Sequence, residues 1–201
     1  MFRGPTFTFG AMEYPTRRIA ALPSERRKSW DGILGSGFFR RFVVQFQPSA
    51  KTLTLHEPRS YQRGDAGHII PMSIRSGTPV IEAALVLSDG QTVPGRYEVD
   101  TGCDGGLCVG RDFAVTNRLH DRIDHLRQSG RRGVGGSAES RAGNIPSLQI
   151  GKLRVANPEI HIFASGSPVG PGLAGHIGWE VLEKLSSVTF DYSRKELVLV
   201  P

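Results

Sequence analysis

The sequence predicts an all-β protein, and three observations predict it. With 25 Gly and 13 Pro in 201 residues, short runs of Val, Ile, Leu, Thr and Phe are punctuated at close intervals, the pattern of strands joined by turns. Thr78 to Ser88 and Thr92 to Asp100 form two such runs around Asp89-Gly90, a hairpin turn signal. The chain also repeats itself. Residues 31–58 and the last 28 residues share one plan: an apolar-Gly turn, a short amphipathic helix, and two strands across a polar turn.

The repeat pairs Gly35 with Gly178, Phe38 and Phe39 with Val181 and Leu182, and Phe42 with Leu185. After a one-residue slip it pairs Phe46 with Phe190, Ser49 with Ser193, Lys51 with Lys195, Leu53 with Leu197 and Leu55 with Leu199. The two polar turns are residues 47–50 and 191–194. A weaker echo joins residues 7–10 to Leu148-Gln149-Ile150-Gly151. The chain therefore reads as a duplication with a truncated first copy.

The longer second copy opens near Ile69 and Ile70, and its first hairpin delivers Asp100 at a strand end. Gly105 and Gly106 allow a tight loop, Leu107 to Val109 restarts a short strand, and Arg111 to Leu126 reads as a polar helical segment. Residues 129–137 are too glycine-rich for an element interior and read as a surface hairpin. Leu148 to Ile150, Leu153 to Val155 and Glu159 to Phe163 supply further short strands.

Composition narrows the function. The formal charge of +6 comes from 25 basic and 19 acidic residues, with the basic ones in separate short clusters such as Arg17-Arg18, Arg26-Arg27-Lys28, Arg40-Arg41 and Arg131-Arg132. That spread reads as solvated surface rather than one nucleic-acid face. No run reaches the roughly 20 apolar residues of a membrane span. Met1 to Met12 contain no continuous apolar segment, so no secretory signal is visible and the compartment stays open. Cys103 and Cys108 cannot close a zinc site alone and read as small packed residues. No metal is implied.

The stretch that carries chemistry is Arg96-Tyr97-Glu98-Val99-Asp100-Thr101-Gly102. Alone, Asp100 is as readily a turn residue that ends a strand. Joined to a glycine-rich hairpin, a His176-Ile177-Gly178 turn, a helix and a Phe190-Asp191-Tyr192 hairpin, it resembles the retropepsin-like aspartic peptidases. The similarity is closer still to bacterial aspartyl-protease-like proteins with two tandem lobes, and it covers nearly the whole chain. It implies a small closed or partly closed β-barrel lobe with short helices, plus a partial second lobe. It implies a catalytic loop of Asp100, Thr101 and Gly102, with the Thr101 hydroxyl bracing the loop against its mate. A flap of Gly133, Val134, Gly135 and Gly136 would close over a peptide or protein substrate, and His176-Ile177-Gly178 would pack behind the catalytic loop. Cys103 departs from the small Ala, Ser or Thr usual at its position. Water is the nucleophile in such enzymes, so no cofactor is implied.

The same reading exposes a difficulty. The offset of 143 between Gly35 and Gly178 puts the counterpart of Asp100 at position −43, upstream of Met1, and the chain holds no second Asp-Thr-Gly. The expected organisation is residues 1–58 as the back half of a truncated first lobe, 59–66 as a linker and 67–201 as a complete lobe. Three readings follow: an aspartic-type endopeptidase whose second aspartate lies outside this chain, a homodimeric peptidase using Asp100 from two copies, or an inactive peptidase-like fold serving as a peptide-binding or structural module. The truncated lobe is also expected to leave strand edges and apolar surface exposed.

Overall fold

A computed structural model of the chain describes all residues except 1, 4, 5, 10, 11, 17, 20–31, 65, 134, 135 and 165–168. The chain divides into two compact units between Ile33 and Leu34, so the division lies ahead of residues 59–66. In the first unit, β1 (Phe2–Arg3) pairs antiparallel with β4 (Arg18–Ile19), and β2 (Thr6–Phe9) pairs with β3 (Met12–Pro15).

The second unit begins with α1 (Ser36–Arg41), β5 (Val43–Gln47) and β6 (Thr52–His56). Next come β7 (His68–Pro71), β8 (Ser73–Arg75), β9 (Thr78–Val86), β10 (Thr92–Val99) and β11 (Leu107–Val109). Two short helices follow, α2 (Arg111–Thr116) and α3 (Leu119–Arg122), then β12 (Arg127–Gly133) and β13 (Gly136–Asn144). The remainder is β14 (Ser147–Ile150), β15 (Leu153–Ala156), β16 (Glu159–Phe163), β17 (Gly175–Ile177), α4 (Trp179–Leu182), β18 (Ser187–Asp191) and β19 (Glu196–Val200). The fold is all-β with short helices.

Two sheets organise this unit. A ten-stranded sheet runs β12-β13-β16-β11-β17-β10-β9-β14-β15, with β8 also on β9, and a five-stranded sheet runs β6-β5-β18-β19-β7. The large sheet is open: β12 and β15 end its path, and among the described residues no ladder joins them into a closed barrel. Its core is aliphatic, with Leu85, Leu107, Leu148, Ile150, Ile160, Ile162 and Ile177 wholly buried. Each such side chain contributes roughly 1.5–3 kcal/mol by leaving water.

The duplication is written in the pairing registers. Moving the first unit by 141 positions turns Phe2↔Ile19 and Arg3↔Arg18 into Gly143↔Ile160 and Asn144↔Glu159 of β13 and β16. The same shift turns the β2–β3 register, Thr6↔Pro15 to Phe9↔Met12, into that of β14–β15, Ser147↔Ala156 to Ile150↔Leu153. In the second unit the β5–β6 and β18–β19 hairpins answer each other, and their matching turn residues Lys51 and Lys195 are both left-handed, at φ 53° and 55°. The two hairpins meet edge to edge. Val44 faces Phe190, Gln45 faces Thr189 and Phe46 faces Val188. Because Val44 corresponds to Val188 and Phe46 to Phe190, this ladder has a local two-fold centred on the Gln45–Thr189 pair, as an isologous contact between two copies would.

Two expectations differ in detail. The Arg111 to Leu126 segment is two helices rather than one, broken at Arg118, whose φ of 52° is left-handed. The glycine-rich residues 129–133 lie inside β12, paired residue by residue with β13. A two-stranded ribbon is held by its backbone ladder, so few side chains are required of it.

Candidate active site

Asp100 follows the last residue of β10. Its backbone N–H donates to the Ile177 carbonyl at 3.0 Å, and its own carbonyl accepts from the Cys103 N–H at 3.2 Å. The Gly102 N–H donates to Asp100 Oδ1 at 2.9 Å. A Cβ on Gly102 would stand 3.2 Å from that oxygen, so glycine lets the backbone amide reach the carboxylate. The side chain of Asp100 is half-buried at the surface of the loop.

The loop has an unusual support. β17 runs parallel to β10, with Val99 opposite Ile177, and antiparallel to β11, with Leu107 opposite Ile177. Residues 100–106 thus leave one neighbour of β17, pass over its end and return as its other neighbour. Beyond the strand, Gly178 N–H donates to the Gly106 carbonyl at 2.8 Å and Trp179 N–H to the Cys103 carbonyl at 2.7 Å. A Cβ on Gly178 would fall 2.2 Å from the Gly105 carbonyl oxygen. His176 and Ile177, which end β17, and Gly178, which caps α4, therefore lie behind the Asp100 loop and in contact with it.

Thr101 opens toward a cavity of about 550 Å³ lined also by Phe46, Pro48, Leu53 and Trp179. The first copy's hairpin is thereby brought beside the second copy's loop. Gly133 and Gly136, expected in a flap, face each other, exposed, in the β12–β13 ribbon; Val134 and Gly135 lie outside the described residues.

Sequence reasoning missed the polar network around this loop. Arg131, read as solvated surface, is half-buried: Nη1 lies 3.3 Å from Asp104 Oδ1 and Nη2 lies 2.8 Å from His161 Nε2. His161 is almost wholly buried, 2.8 Å from Glu159 Oε2, and Glu159 also pairs with Arg127. Burial lowers the His161 imidazole below its ordinary value, against the pull of Glu159. Burial raises the Glu159 carboxyl, but His161 and Arg127 outweigh it and hold that group below the usual range. The ladders place Glu98, His176, Cys108 and His161 in one cross-strand row. His176 Nε2 lies 3.0 Å from Glu98 Oε2, at an angle outside hydrogen-bond geometry. Alternation within β11 and β17 was the only signal that could have grouped these residues, and runs of three residues are too short to show it.

Among the described residues no group of three or more His, Cys, Asp or Glu side chains could hold a metal ion, and no helix is long and apolar enough to cross a membrane. No protein-family model matches the chain, and no curated protein does. Among solved structures, the chain is similar to a retropepsin-like aspartic protease from Rickettsia conorii, with 20% identity and a TM-score of 0.47 over 69% of this chain and 95% of that one.

Proposed function

We propose that residues 67–201 form one lobe of an aspartic-type endopeptidase in which Asp100 is one of two carboxylates that activate water against a peptide bond. The observation that carries this reading is the setting of Asp100. It sits on a glycine-bearing loop that straddles β17, and the next residue, Thr101, shares a cavity with Phe46 of the β5–β18 ladder, whose local two-fold is centred on Gln45 and Thr189. A second loop of the same kind would supply the other aspartate.

The chemistry needs both. Two carboxylates about 3 Å apart cannot both ionise, so one keeps a proton while its partner accepts one from the attacking water. The protonated acid then donates to the carbonyl oxygen as the tetrahedral intermediate forms. In this reading Thr101 braces the two loops, and Gly133, Val134, Gly135 and Gly136 form the flap over an extended peptide. Asp100 lies in the chain's sole Asp-Thr-Gly, so in this reading its partner aspartate is supplied from outside residues 1–201.

The homodimeric alternative is less well supported. Both edges of β18 are taken within the chain, by β5 and by β19, so a second copy would have to displace the β5–β6 hairpin. The inactive-module alternative is separated by experiment. The protein is expressed from its genomic region with the DNA upstream of the Met1 codon left in place, then incubated with an unfolded protein substrate across pH. Cleavage with a bell-shaped pH profile, abolished in Asp100→Asn, is expected. Cleavage that survives in Asp100→Asn, or no cleavage by the wild type, overturns the peptidase reading in favour of a binding module.

A further inference from the structure

Cys103 and Cys108 flank the loop that leaves Asp100, and the peptidase chemistry uses neither. Both thiols are free, and their Sγ atoms lie 3.8 Å apart. A disulfide needs a separation of about 2.05 Å, so a closure of about 1.8 Å joins them. The two positions differ in freedom. Cys108 is buried at the centre of β11, between His176 and His161 in the ladders. Cys103 is only half-buried and belongs to the loop.

The chemical bias follows the same division. The hydrogen bond with Cys108 draws the Cys103 thiol down to about 7, against burial and the charge of Asp100 and with help from the Gly105 N–H and the Arg131 guanidinium. The same contact and burial push Cys108 up. An accessible thiolate beside a buried thiol is the arrangement of an attacking and a resolving cysteine.

We propose that Cys103 and Cys108 are a reversible, peroxide-responsive dithiol–disulfide couple that fixes the loop carrying Asp100. The Cys103 thiolate attacks one oxygen of hydrogen peroxide, and the O–O bond breaks. Cys103 becomes a sulfenic acid, while the released hydroxide takes a proton and leaves as water. The Cys108 sulfur then displaces the sulfenic hydroxyl, which departs with the Cys108 proton as a second water. Two thiols are oxidised and one peroxide is reduced to two waters. An external dithiol reverses the bond by exchange. The couple stands on the two thiols alone and does not depend on peptide cleavage.

The test treats the folded protein with hydrogen peroxide and reads intact mass and free thiols without reductant. The wild type is expected to lose two hydrogens in mass, remain monomeric, retain no maleimide-reactive thiol after denaturation and recover both thiols with dithiothreitol. Its melting midpoint rises on oxidation, as expected for a cross-link. Cys108→Ala is expected to stop at a dimedone-reactive sulfenic acid on Cys103, and Cys103→Ser to keep Cys108 reduced. A wild type that keeps both thiols, forms intermolecular dimers, or gains oxygen at each cysteine independently overturns the proposal, and none of those readouts requires a variant to fold.

Discussion

Gly35 and Gly178 occupy matching positions in the two copies of the repeat, each capping a short helix with nearly the same backbone: φ −88° and ψ −166° at the first, φ −94° and ψ −174° at the second. Any residue can adopt that conformation, so the torsion angles explain neither glycine. Their surroundings differ. A Cβ on Gly178 would collide with the carbonyl of Gly105, whereas a Cβ on Gly35 would meet nothing within 4 Å. The second copy needs glycine because a loop rests on it. The first keeps the same residue where no described loop rests on it.

The comparison can be broken at several points. Gly178→Ala should cost more than about 3 kcal/mol, because neither backbone segment can give way, while Gly35→Ala should stay within about 0.5 kcal/mol. Denaturant titration of both variants measures this, and equal losses would remove the asymmetry.

A similar contrast separates Asp191 from its counterpart Gln47. Asp191 is 1% exposed and accepts from the Ser193 and Arg194 backbone N–H groups, each at 3.0 Å, and from Arg194 Nη1 at 2.6 Å. Gln47 is exposed, and its side-chain oxygen accepts from Thr52 Oγ1 at 3.3 Å. Asp191→Ala should therefore cost about 3 kcal/mol and Gln47→Ala less than about 0.5 kcal/mol. Burial pushes the Asp191 carboxyl up, but its bonds to Ser193 and Arg194 outweigh that and hold it below the ordinary range. The stability it contributes is full above the unfolded value of about 3.9 and is lost as pH falls through the lower folded value. Melting curves from pH 5 to acid should show a larger loss in the wild type than in Asp191→Ala.

The smallest effect should be the same in both copies. Lys51 and Lys195 share a left-handed backbone, so Lys51→Gly and Lys195→Gly should each stabilise by up to about 1 kcal/mol. Thermal denaturation with shifts of opposite sign would show that the two turns have diverged.

Much of this was legible in the sequence. Alternation in Thr78 to Ser88 and Thr92 to Asp100, with Gly90 between them, marks β9 and β10 because a half-buried strand needs that period. The repeat was legible because Phe46/Phe190 and Lys51/Lys195 occupy equivalent places in equivalent hairpins. What lay beyond reach depends on register across strands distant in the chain. Arg131 looks like a surface cation beside Arg132 until β12 and β13 set it against Asp104 and His161. Cys103 and Cys108 look like packed small residues until the loop turns one sulfur onto the other.

The position of β17 has a consequence for how the protein is made. The Asp100 backbone N–H is held by its hydrogen bond to the Ile177 carbonyl, and the loop around it closes only when β17 enters between β10 and β11. During synthesis the aspartate therefore leaves the ribosome long before the strand that will fix it, and β10 and β11 must wait with a gap between them. Such late, long-range parallel pairing is slow. The nascent chain consequently carries an acidic loop without its support until β17, 77 residues further along, has been translated, and the site takes shape late in the fold.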